Sequence, residues 1–97
     1  MTILKPLTSE HLSATPDLRH AFFTREGGVS EGIFAALNVG LGSGDDPERV
    51  RENRRRAAIT LDVRGDALVT AYQIHSAKVA VVDEPWQPGS GPKVDAL

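Results

Sequence analysis

The 97 residues are 40% hydrophobic and 5% aromatic with a formal net charge of -2, enough for one small domain whose core must come mostly from Val, Leu, Ile, Ala and the phenylalanines. The absence of cysteine excludes a disulfide framework, a thiol nucleophile and cysteine ligation supplied by this chain. The acidic balance argues against a general nucleic-acid binder, and neither the opening MTILKPLTSEHL nor any later run has the apolar length of a signal peptide or membrane span, so a cytoplasmic setting without nucleic-acid or membrane partners is expected.

In chain order, Ile3 and Leu4 are placed at the start of an edge strand and SATPD reads as a turn. HAFFT, residues 20–24, is a short strand-like run followed by the abrupt loop chemistry of REGGVSEG, where Gly27 and Gly28 permit backbone forms closed to other residues. IFAALNVGLGSG then sets a short apolar element inside more shaped loop. The plainest helix signal is DDPERVRENRRRAAITLDVRG. Asp46 can cap it, Pro47 suits the first helical position, and Glu48 lies near the positive helix end. Val50, Ala57, Ala58 and Leu61 make its apolar stripe, Arg49, Glu52, Arg55 and Arg56 are assigned to solvent, and Gly65 supplies the stop.

Residues 67–75, ALVTAYQIH, alternate with period two, which would put Gln73 and His75 on one face of a strand. A second strand, KVAVVD, follows after Ser76 and Ala77 and predicts a tight hairpin. EPWQPGSGPK is an irregular segment, and VDAL reads as the start of another strand, so the chain is expected to be part of something longer.

His75 could bind a metal or exchange a proton, with Gln73 beside it positioning a polar substrate; a hydrogen-bonded or surface histidine fits the same residues. REGGVSEG could cradle an anion through its amides, with Arg25 adding a fork of donors, or be a tight connection and nothing more. RENRRR is a basic helix face, read as solvated because acidic residues flank and interrupt it. DDPE is accounted for by capping without a metal.

Taken together, HAFFTREGGVSEG, ALNVG, GDDPERVRENRRR, QIH and VDAL resemble the amino-terminal part of the laccase-domain, polyphenol oxidase-like family associated with purine nucleoside phosphorylase activity. The resemblance runs from His20 to Leu97. It implies an α+β fold: a partial mixed β-sheet domain with at least one packed helix, residues 1–97 being the first portion of a longer single domain. It also implies zinc as cofactor, with copper-dependent phenol oxidation a weaker alternative. In that family the histidine of the QxH motif joins a cysteine and a second histidine from later in the domain, which would make His75 both a metal ligand and a catalytic residue. Arg25, Asn38 and Gln73 become candidates for substrate binding. The implied partners are a purine nucleoside, phosphate, and the remainder of the domain as the source of the cysteine and histidine ligands. The implied reaction is phosphorolysis of adenosine, inosine, guanosine or methylthioadenosine, with adenosine deamination as a second reaction class. The chain alone is expected to be inactive, and an interaction module built on an open sheet edge is the non-enzymatic alternative. Ser76 stands where the family commonly has glycine, and Val94 where it has alanine.

Overall fold

The computed structural model describes residues 4–97 in two units, the first reaching Gly65 and the second running from Asp66 to Leu97. Ile3 lies outside the described residues, while Leu4 is buried.

The first unit is organised by one helix. A short helix α1, Glu10–Ser13, is capped by Ser9, whose hydroxyl accepts from the Leu12 amide at 3.4 Å. The Ser9 amide in turn donates to His20 Nε2 at 2.7 Å, so His20 is held as part of the scaffold. The long helix α2, Pro47–Thr60, begins as its sequence predicts: Asp46 accepts from the Glu48 amide at 2.9 Å and Pro47 occupies the first turn. Its end differs from expectation. Asp62, at φ 64, takes the left-handed position; its amide donates to the Ile59 carbonyl at 2.9 Å, and the Val63 amide reaches the Ala58 carbonyl at 3.1 Å. That pair of bonds closes the helix three residues before Gly65, because Asp tolerates this backbone form better than most side chains.

The buried face of α2 consists of Val50, Asn53, Arg54, Ala57 and Ala58. The spacing is that of a core-facing helix, yet two of its members are polar. The apolar stripe was legible in part, and the polar residues interleaved with it are the unexpected element.

The expected α+β architecture is not found. Among the described residues, helices and 3₁₀ turns alternate with loops, and β-pairing is limited to isolated bridges, Leu7 with Phe22 and Val79 with Ala96. A strand exists only where its backbone groups meet a continuous partner, and neither HAFFT nor residues 67–75 has one. The predicted hairpin is replaced by other contacts. The Tyr72 amide donates to the Pro92 carbonyl at 2.9 Å, and residues 78–80 meet Asp95 and Ala96 through bonds of 3.1 and 3.0 Å. In this second unit the Trp86 indole donates to the Thr70 carbonyl at 3.2 Å, beside Gly91, where a Cβ would lie 2.2 Å from the same oxygen. Only glycine fits there.

Candidate functional site

In the first unit the two glycine-containing loops are fastened by Asn53, which is 0% exposed. Its Oδ1 accepts from the Val29 amide at 2.8 Å, and its Nδ2 donates to Ser30 Oγ and to the Asn38 carbonyl, each at 2.8 Å. Ser30 Oγ donates to Asp45 Oδ2 at 2.5 Å, and Asn38 Nδ2 donates to Ser43 Oγ at 2.8 Å and to Asp45 at 3.3 Å. The Ser30 hydroxyl is the main reason the Asp45 carboxyl sits below its usual range; the Asp46 amide, Asn38 and Arg49 act in the same direction, against the cost of desolvation.

Arg56 extends the fastening. Its Nη1 donates to the Gly27 carbonyl at 2.8 Å and its Nε to Glu52 at 3.1 Å, while Arg55 grips the same carboxylate through two bonds of 2.7 Å. Arg55 first, then Arg56, hold the Glu52 carboxyl down at about 2 despite partial desolvation. Arg56 is therefore a loop anchor rather than the solvated residue expected. Arg54, buried on the core face, reaches the Val39 carbonyl at 3.1 Å, and burial lowers its hold on its proton.

Arg25 lies exposed beside this network. Its Nε donates to the Ala35 carbonyl at 3.1 Å, and its own carbonyl accepts from the Ala36 and Leu37 amides at 3.1 and 2.7 Å. Gly28 is packed so closely that a Cβ would stand 2.2 Å from the Ala36 oxygen. Two of the loop amides are engaged within the protein: Val29 bonds Asn53, and Ser30 bonds the Ala36 carbonyl at 3.0 Å. A tight connection, the plainer of the two readings, accounts for the backbone of REGGVSEG. Asn38 is half-buried and braces its own turn, accepting from the Gly40 amide at 3.2 Å.

In the second unit Gln73 and His75 are both exposed, Gln73 in irregular backbone and His75 at the bend that follows it, rather than on the strand face predicted for them. His75 adopts φ 59. The Asp95 carboxylate organises this turn: Oδ1 accepts the amides of Ile74 at 3.1 Å and His75 at 2.6 Å, and Oδ2 accepts the amide and the hydroxyl of Ser76, each at 2.6 Å. The Ser76 hydroxyl leads, with the turn amides, in drawing the Asp95 carboxyl below its ordinary range, against desolvation.

The expected metal centre is not supported. Among the described residues no group of three or more His, Cys, Asp or Glu side chains is placed to hold a metal, and the sequence contains no cysteine. Zinc requires about three or four convergent ligands; the residues here do not fit the zinc ion that the resemblance implies, nor the copper alternative. The corresponding partner role, in which the rest of a domain adds cysteine and histidine ligands to this chain, has no cysteine and histidine cluster here to complete.

Sequence reasoning placed Arg25, Asn38, Gln73 and His75 but missed Asn53, Arg54 and Asp95. Asn53 and Arg54 could have been found by asking which polar residues share the helical spacing of Val50 and Ala57. Asp95 offered only a weak signal, a carboxylate within an otherwise apolar VDAL.

Comparison with known proteins gives a consistent result. A purine nucleoside phosphorylase of Corynebacterium glutamicum is 43% identical over 79 residues, covering 81% of this chain and 31% of that protein. One from Streptomyces coelicolor is 46% identical over 76 residues, with coverage of 78% and 31%. One from Streptomyces griseus is 43% identical over 84 residues, with coverage of 86% and 34%. The chain thus spans about a third of the length of these relatives. Residues 19–97 match the family described as multi-copper polyphenol oxidoreductase laccase, a stretch that contains the Asn53 fastening and the Asp95 turn alike, and the chain belongs to that family.

Proposed function

We propose that the full-length protein carrying this chain is a purine nucleoside phosphorylase, and that residues 1–97 are the amino-terminal portion of its domain, working in the cytoplasm. The observation that carries this reading is the identity of 43 to 46% to relatives that bear that name, sustained over 76 to 84 residues. In such a reaction a phosphate oxygen bonds to the sugar C1′ as the bond from C1′ to the purine nitrogen breaks. The base leaves with a proton, and a pentose 1-phosphate remains. This demands an oriented anion and stabilisation of the departing base.

We assign Arg25 to the phosphate or sugar, since its guanidinium is exposed while Nε is fixed on the Ala35 carbonyl. His75 is assigned as the catalytic group that exchanges the proton of the purine, and Gln73 as a substrate contact beside it. Asn38 is a weaker substrate-binding candidate because its side chain is already engaged with Ser43, Asp45 and Gly40. The proposed substrates are adenosine, inosine, guanosine and methylthioadenosine.

The test is phosphate-dependent release of free purine from each nucleoside by the full-length protein and by residues 1–97 alone, with ammonia followed in parallel to score adenosine deamination. Release by the full-length protein, matched by pentose 1-phosphate and absent from the short chain, is the expected result. A folded full-length protein that releases no purine from any of them would reject the reading.

A further inference from the structure

Asp95 accepts four hydrogen bonds from a turn that lies 19 to 21 residues away in sequence. Both of its oxygens are engaged, which leaves the carboxylate poorly placed to act as a base or to touch a substrate. Its backbone is fixed as well: the Asp95 amide donates to the Lys78 carbonyl at 3.1 Å, and the Ala80 amide donates to the Ala96 carbonyl at 3.0 Å. Ser76 Oγ, while donating to Asp95, also accepts from the Lys78 amide at 3.2 Å. The residue at the centre of this arrangement, His75, is held at φ 59 with its side chain exposed. For a non-glycine residue that backbone form is disfavoured and persists only where the surroundings impose it. The three successive amides turned towards one carboxylate are what impose it here.

We propose that Asp95 is a positioning residue for His75: its carboxylate fixes the turn of residues 74–76 and thereby aims the imidazole at the reacting purine. The inference rests on the reading of His75 as a group that acts on substrate. It adds a residue that touches no reactant and works by orientation alone. Asp95→Asn keeps the size of the side chain but replaces one acceptor oxygen with a donor, opposing either the amides on Oδ1 or the Ser76 pair on Oδ2.

The experiment uses the full-length protein and reads two quantities. Amide hydrogen exchange reports the turn, and purine release reports catalysis. In Asp95→Asn the amides of residues 74–76 should exchange faster, and kcat should fall roughly ten- to hundredfold, the scale of a misplaced reacting group, with little change in KM. In a His75→Ala background the same substitution should cost no further activity, since its effect passes through the imidazole. Ser76→Ala removes the hydroxyl's bond to Asp95 and the one it accepts from the Lys78 amide, keeps the three amide bonds to Asp95, and should produce a smaller loss of the same kind, which keeps the test decisive if Asp95→Asn does not fold. Unchanged exchange at residues 74–76 would overturn the proposal, as would a loosened turn with unaltered kcat, or a full additional loss in the His75→Ala background. Full activity of His75→Ala itself would instead remove the catalytic assignment of His75, with exchange still deciding whether Asp95 holds the turn.

Discussion

At the scale of single residues, Asn53 and Arg25 illustrate opposite uses of polar groups. Asn53 has no contact with solvent, and each polar atom of its amide serves a loop. Asn53→Leu would strand the Val29 amide and the Asn38 carbonyl, so a loss of about 2–4 kcal/mol is expected, read as a lower urea midpoint with unchanged slope. Asn53→Asp retains the acceptor for Val29 but loses both donors and adds charge near Asp45, and should be destabilising too. Arg25, being exposed, should behave differently. Arg25→Ala should lower kcat/KM for phosphate by roughly ten- to hundredfold, the worth of a charge-assisted hydrogen bond, with a much smaller effect on the unfolding midpoint. A collapse of folding in this variant would show that its bond to the Ala35 carbonyl is the main role. The identity of these residues could be read directly from the sequence, but their burial could not. RENRRR looks uniformly wet, yet Arg54 is 4% exposed while the Arg51 side chain is 64% exposed; what separates the arginines is their angular position around α2.

At the scale of elements, α2 couples helix charge to loop position. Its carboxylate Glu52 takes up a proton near pH 2 when folded, against 4.5 for the ordinary group. The unfolded chain therefore binds more protons across that interval, and the stability contributed by Glu52 is complete above about pH 5 and lost as pH falls towards about 2. The urea midpoint should decline over this range, and Glu52→Gln should flatten part of the decline. Gly28→Ala makes a second prediction at this scale. The added Cβ would meet the Ala36 oxygen at 2.2 Å, so the loop must move, and a loss of about 1–3 kcal/mol is expected in the same unfolding measurement. The start of α2 was legible because capping is local, its signal lying within Asp46, Pro47 and Glu48. The strands were misread because period-two alternation describes side chains, whereas a sheet needs partner backbone. Val81 is 86% exposed and Tyr72 65% exposed, so the alternating pattern of residues 67–83 does not produce a buried face among the described residues.

At the scale of the whole molecule, family membership makes two statements about activity testable together: purine release by the full-length protein, and its absence from residues 1–97. No helix among the described residues is long and apolar enough to cross a membrane. The motifs that carry the resemblance were visible in the sequence, but the positions they occupy follow from contacts far apart along the chain, above all the hydrogen bonds from residues 74–76 to Asp95. Those bonds set an order in time. As the chain leaves the ribosome, the segment around His75 emerges before the carboxylate that shapes it, and closing the intervening loop carries an entropic cost that local hairpin formation would avoid. The imidazole can take its final orientation only after residue 95 has been made and delivered, so this turn closes later than its own sequence is complete, by some twenty residues of synthesis.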